Sequence, residues 1–340
     1  MKRECGMQNA ECGILGRGFL TVISALVAVA AVYLLPTAQA AETGGQAGSF
    51  LRIGMAPDQV AMGDCGAALV GGGMGWYYNP AGLPYLAHRQ ATVGYRSLSL
   101  DRTLMFAGIA MPLKPNAGLA FGLARAGVNN IDSRDVNGAR LDELSYSDNM
   151  IQGSFALMPH PRVGLGISIK WFIAAVPDVI EGNKNTYAYG MGVDLGVRVI
   201  AIKSLAFGLE VRDLNGKYSW DATEVWGDQT VTKDDKFPNP VRVGAAWQPV
   251  TGLTTVADAV IFPEADGADA LQPRFGVEYR REAGAGRDVA LRGGWNGQAP
   301  TFGLGLGLDI RRVRVRLDYA FVVEPVSPGG SHLIGWVFEF

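Results

Sequence analysis

Hydrophobic and polar residues alternate along most of this chain. Between Arg312 and Phe321, Val313, Val315, Leu317, Tyr319 and Phe321 fall on one parity; Arg312, Arg314, Arg316, Asp318 and Ala320 fall on the other. Successive side chains of a strand point to opposite faces, so the segment predicts a strand with one apolar face and one charged or small face. The stretch before it sets Phe302, Leu304, Leu306, Leu308 and Ile310 against Thr301, Gly303, Gly305, Gly307 and Asp309. Tyr187 to Val197 repeats the rule, with glycine again prominent on the second face. A helical period of 3.6 would break each run within two turns. Slipping the Arg312 strand by one residue would turn three arginines toward the apolar side. If that side is lipid, each costs about 2–4 kcal/mol near the midplane, so the pattern specifies its own register.

About fourteen such segments run from residue 91 to residue 340, most near ten residues long, which crosses a bilayer at a tilt. Short connections alternate with long ones: Lys114–Asn116, Pro159–Pro161, Gln248–Thr251 and Arg311 against 128–146, 175–185, 214–239, 263–272 and 323–330. Transmembrane barrels have short periplasmic turns and long outer loops. A soluble sandwich or barrel would also alternate, with its apolar face as core. Three features favour the membrane. The polar face is rich in glycine rather than lysine, the lengths are uniform, and the last segment ends on Trp336, Phe338 and Phe340 of one face. That ending resembles the signal by which the barrel-assembly machinery recognises outer-membrane barrels. The expected fold class is therefore all-β: a transmembrane antiparallel β-barrel of about fourteen strands, occupying 91–340.

The first forty residues follow another logic. Lys2, Arg3 and Arg17 precede an apolar run from Phe19 to Leu35 and then Pro36-Thr37-Ala38-Gln39-Ala40. This reads as a cleaved signal peptide over 1–40, the rival being a permanent anchor. Cys5 and Cys12 would leave with it, making Cys65 the remaining thiol. Glycine supplies 46 of 340 residues, roughly twice its usual share. Much of it lies on the inward parity of the strands or in the run Gly71–Gly75, which predicts that something, at least a plug, packs against the barrel wall. A net charge of −2 offers no basic surplus for nucleic acid.

Residues 41–90 do not alternate and predict a partly helical plug: a short helix within Ala56–Leu69, and a turn opened by Pro80 and capped by Asn79. Three pieces are distinctive: Phe50-Leu51; Met62-Gly63-Asp64-Cys65-Gly66-Ala67; and Trp76-Tyr77-Tyr78-Asn79-Pro80-Ala81-Gly82-Leu83. They resemble the opening of the PorV/PorQ family of outer-membrane proteins, which shares the fold of the FadL fatty-acid transporters. The resemblance implies an N-terminal segment folded into the lumen, with Met62, Gly63, Asp64, Gly66, Asn79, Pro80, Ala81 and Gly82 as its plug motif. It also implies the outer membrane of a diderm bacterium. Two roles follow: passage of small hydrophobic or amphipathic molecules by plug rearrangement, or a type IX-like secretion accessory presenting cargo to partner proteins.

No catalytic, metal or cofactor constellation emerges. His88, His160 and His332 are scattered, no HExxH or paired-cysteine spacing exists, and the glycine run lacks the Lys-Ser/Thr of a phosphate loop. Trp220 and Trp226 on the longest loop read either as a partner site or as a loop packing on itself. The inward parity carries Arg274, Glu278, Arg292, Arg314, Arg316 and Asp318 among other charges. Buried charges are costly unless paired or wetted, so a cross-paired, partly hydrated lumen is expected. These charges then either hold the plug or guide an amphipathic acid.

Overall fold

The computed structural model describes residues 47–135, 137–176, 186–221, 232–263, 270–324 and 329–340. Residues 1–40, with the expected export signal, and Trp226 lie outside the described residues.

Alternation becomes architecture over fourteen strands that close into an antiparallel barrel. The first seven are β1 (Gln90–Ser97), β2 (Arg102–Leu113), β3 (Ala117–Arg134), β4 (Arg140–His160), β5 (Val163–Val176), β6 (Thr186–Ile202) and β7 (Leu205–Leu214). A hairpin of β8 (Lys217–Asp221) and β9 (Thr232–Lys236) follows and stands outside the closed ring. The ring resumes with β10 (Val241–Val250), β11 (Leu253–Phe262), β12 (Ala270–Glu282), β13 (Arg287–Trp295), β14 (Pro300–Ile310), β15 (Val313–Val322) and β16 (Ser331–Glu339). Closure comes from β1 on β16, Gln90 opposite Glu339 through Ser97 opposite His332. No edge is left in the ring, as a bilayer demands.

The expected parity holds. On β14, Phe302, Leu304, Leu306 and Leu308 are exposed while Thr301, Gly303, Gly305 and Gly307 are buried. Leu165, Ile167, Ile169 and Trp171 of β5 and Ile334 and Trp336 of β16 continue the outward apolar belt. Among the described residues no helix is long and apolar enough to cross a membrane.

Two expectations need correction. The span 128–146 is not a loop: β3 and β4 run on past the belt, with Val128 opposite Tyr146 and Ile131 opposite Leu144. Beyond the belt both faces are wet, so hydropathy loses its alternation while backbone pairing continues. The helix expected within Ala56–Leu69 is only Pro57–Ala61. Gly63 (φ 74°) and Asp64 (φ 58°) turn into the left-handed region and stop it.

Candidate functional site

The plug threads the lumen from the long-loop end toward the short-turn end. It begins with a 3₁₀ turn at Ser49–Arg52, continues through Pro57–Ala61 and a one-turn helix Gly75–Tyr78, and ends in a 3₁₀ segment Pro80–Tyr85. No piece exceeds two turns, so its order comes from the wall around it. Asn79 opens the last piece as expected, its Oδ1 accepting from Ala81 N at 3.0 Å. Its Nδ2 donates to Ala67 O at 2.6 Å and to Val197 O of β6 at 3.1 Å. One fully buried amide thus caps a turn and ties two plug segments to the barrel.

The inward glycines are where the plug backbone touches the wall. A Cβ at Gly208 would fall on the Ala67 carbonyl, at Gly276 on that of Met62, and at Gly303 on the Ala61 side chain. Gly196 faces Asn79, and Gly166 faces the Pro80–Ala81 peptide. Gly305 and Gly307 serve another purpose, leaving space for Asp318 with Arg292 and for Asp288. Gly190 faces the backbone of β8 rather than the plug.

Polar anchors complete the seal. Thr301 Oγ1 accepts from Gly63 N and donates to Ala61 O, both at 3.0 Å. Asp258 Oδ2 of β11 accepts from Gly66 N at 2.7 Å and Ala67 N at 3.1 Å. Asp258 was not singled out in the sequence, although it lies on the inward parity between Val256 and Val260. Asp64 is gripped by Arg274 and takes a 2.6 Å bond from Tyr78 Oη. Burial and the adjacent Asp64 push the Tyr78 hydroxyl well up, so it stays a donor. Burial, then Asp258, likewise raises the Cys65 thiol, which is fully enclosed and unreactive in this position.

The lumen charges form ladders of opposite sign. Arg292 bridges Glu278 at 2.7 Å and Asp318 at 2.8 Å; Arg280 bridges Glu278 at 3.0 Å and Asp288 at 2.5 Å. Arg314 holds Asp288 and Asp309, while Arg316 lies 3.9 Å from Asp318 and 4.0 Å from plug residue Asp58. On the opposite side Lys170, fully buried, pairs with Asp194 at 2.7 Å and Asp213 at 2.9 Å. The Tyr77 ring lies 5.5 Å from the Lys170 ammonium and 4.4 Å from the Arg212 guanidinium. The lumen-facing Arg280, Arg292, Arg314 and Arg316 are therefore matched by carboxylates rather than forming a bare cationic track.

Above this ionic layer, toward the long loops, the lumen turns apolar. Leu104, Phe106, Met150 and Phe172 point inward, and the β8–β9 hairpin adds Tyr218 and the following Phe237. The Phe172–Phe237 and Tyr218–Phe237 ring centroids are each 4.9 Å apart, edge to face. Phe50 and Leu51 of the plug pack into the same cluster. Sequence reading missed this apolar cluster, yet a signal existed: Leu104-Met105-Phe106, Met150-Ile151 and Trp171-Phe172-Ile173 are apolar on both parities. Trp220 packs against Tyr218 at 6.0 Å and donates to Asp235 at 2.8 Å, within its own hairpin.

Below the plug, small inward residues Ser204, Ala206, Ala246 and Thr254 leave a cavity of about 300 Å³ beside Leu69 and Val70. At the C-terminal end, Trp336 and Phe340 face outward and Phe338 is partly covered, opposite Ala91 of β1. The histidines stay apart: His88 and His160 are exposed near the short turns, and His332 meets Tyr319 Oη at 2.8 Å. Among the described residues no group of three His, Cys, Asp or Glu side chains could hold a metal.

Compared with solved structures, the chain is similar to the toluene transporter TodX of Pseudomonas putida, with a TM-score of 0.57 and 13% identity over 84% of this chain and 97% of that one. The shared feature is the fold. A CymD monoaromatic hydrocarbon channel gives 0.52 at 12% identity, covering 85% and 96%, and a Pseudomonas aeruginosa FadL homologue gives 0.51 at 12%, covering 84% and 97%. The FadL-type architecture expected from the plug motif is thus present. No family model and no curated protein matches the sequence, so the PorV/PorQ resemblance rests on the motif alone.

Proposed function

We propose that this chain is a non-enzymatic outer-membrane channel that passes small hydrophobic or amphipathic molecules. The observation that carries the reading is the buried apolar cluster inside the barrel, into which Phe50 and Leu51 of the plug pack. A lumen meant for water or ions has no use for Phe106, Phe172 and Phe237 at its outer end. A solute entering there would compete with the plug for the same apolar surface and displace it toward the cavity beside Leu69 and Val70. Barrels of this fold include ones described as a toluene transporter and a monoaromatic hydrocarbon channel, which supports the choice of solute class. The secretion-accessory reading draws nothing from this geometry, because the β8–β9 hairpin buries Tyr218 in the lumen and engages Trp220 with its own Asp235.

The test is uptake of labelled monoaromatic hydrocarbon and of labelled fatty acid by intact cells that express the protein and lack a hydrophobic channel of their own. Wild type is expected to raise uptake of at least one. Replacing Asn79-Pro80 by Ala-Ala is expected to change that rate at equal barrel yield. Uptake no higher than in empty cells would end the transport reading, and an unchanged rate in the double variant would end plug rearrangement.

A further inference from the structure

The two rims of the barrel handle their cations differently. At the long-loop end, most described cations sit in pairs, Lys236 being an exception: Arg102 with Glu324 at 3.6 Å, Arg140 with Asp132 at 2.9 Å, Lys217 with Asp234 at 2.6 Å. At the short-turn end they do not. Arg89 precedes β1, Lys114 follows β2, Arg162 lies between β4 and β5, and Lys203 between β6 and β7. Arg281 and Arg287 flank the turn from β12 to β13, and Arg311-Arg312 is the turn from β14 to β15. All eight side chains are exposed, and none has a carboxylate partner among the described residues. Glu282 and Asp309 are the exposed negative side chains among them; Asp309 is engaged by Arg314, and the half-buried Glu339 lies 3.7 Å from Arg316.

The height of this ring matters as much as its charge. Leu113, Tyr279, Val289 and Ile310 are outward, exposed apolar residues of the belt. Lys114 and Arg311 follow Leu113 and Ile310 directly; Arg281 and Arg287 are two residues from Tyr279 and Val289 on the same outward parity. In a bilayer the belt ends where acyl chains meet headgroups, so these cations stand at phosphate level, with flexible stems able to reach it. We propose that the short-turn rim is a docking ring for anionic phospholipid headgroups of the leaflet on that side. A phosphate supplies the missing counter-charge where the chain places no carboxylate, and the ring anchors the depth and tilt of the barrel. Continuity with the apolar belt favours lipid over a soluble acidic partner, which would need no belt edge. The inference rests on the barrel spanning a bilayer and not on any transport activity.

The probe is phosphatidylglycerol against phosphatidylcholine. Barrels are reconstituted in discs of an equal mixture, stripped with mild detergent, and the retained lipids identified by native mass spectrometry. Wild type is expected to retain phosphatidylglycerol preferentially, and high salt to erode the preference. The variant R89Q/R162Q/R281Q/R287Q/R311Q/R312Q is expected to lower the retention ratio by at least about tenfold, since each basic residue near a charged surface contributes several-fold. Lys217→Gln with Lys233→Gln, at the other rim, should leave the ratio unchanged. If the six-site variant fails to fold, the salt titration of wild type decides. Equal retention of both lipids by wild type, a salt-insensitive preference, or loss of preference in the Lys217/Lys233 variant would overturn the proposal. So would binding of soluble polyglutamate without any lipid preference. A protein that retains phosphatidylglycerol but shows no uptake keeps this ring and loses only the transport reading.

Discussion

At the residue scale, inward glycine is the contact chemistry of this barrel. Glycine weakens a strand unless something must approach its backbone closely, and here the plug backbone is what approaches. Inward Gly208 and outward Gly153 make the contrast, because a Cβ at Gly208 would meet the Ala67 carbonyl and one at Gly153, on the outer face of β4, meets nothing within 4 Å. Gly208→Val is therefore expected to expel the plug segment around Ala67, while Gly153→Ala leaves it seated. Cys65 supplies the readout, since it is fully buried two residues away. With Cys5 and Cys12 replaced by Ser, maleimide labelling of Cys65 in the folded barrel should rise at least about tenfold in Gly208→Val, a shift of roughly 1.4 kcal/mol in the opening equilibrium. Equal labelling of the two variants would mean that the glycines do not gate the seat of the plug.

At the element scale, a strand belongs to two solvents, and its register decides which face meets which. Leu306 of β14 is half exposed on the outward parity, flanked by buried Gly305 and Gly307. Leu306→Arg is expected to cost about 2–4 kcal/mol if that face meets lipid at mid-depth, whereas Leu306→Phe should be nearly neutral. Urea unfolding of the barrel in vesicles measures both, and an arginine tolerated as well as phenylalanine would contradict the lipid-facing assignment. This two-solvent logic also sets what was legible in the sequence. Strand positions within the belt were readable because an apolar outer face and a packed lumen enforce period two. The upper ends of β3 and β4 were not, because Asn129 and Asp132 meet water on both faces. The plug was readable as a break in alternation and through Asn79-Pro80, but not its path, since a helix of five residues leaves no period to detect. The inward apolar cluster was not legible because Phe106 and Phe172 were masked by the outward apolar residues beside them.

At the scale of the whole molecule, the plug touches the apolar cluster, the ionic ladders and the short-turn cavity, so whatever changes its docking changes all three. Asp58 is the titratable group best placed to do so. Its carboxyl is buried, Oδ1 has no hydrogen-bond partner among the described residues, and the nearest guanidinium, Arg316, is 4.0 Å away. Burial first, then repulsion by Asp318 and Glu278, pushes it up to about 6, against the pull of Arg292 and Arg316. With the plug released into water the same group returns to near its ordinary value of 3.8. The docked state thus binds the proton more tightly than the released one. By linkage, docking is strongest below about pH 4 and weakens as pH rises through about 6, by on the order of 1–3 kcal/mol. Asp58→Asn mimics the protonated carboxyl and should hold the plug at neutral pH. The measurement is Cys65 labelling from pH 5 to 8 in wild type and Asp58→Asn; dividing one rate by the other cancels the ionisation of the thiol itself. The ratio should climb several-fold between pH 5 and 7.5 as the wild-type plug loosens. A ratio that stays flat would show that the Asp58 proton is not linked to docking and that the neighbouring arginines hold the carboxylate charged throughout.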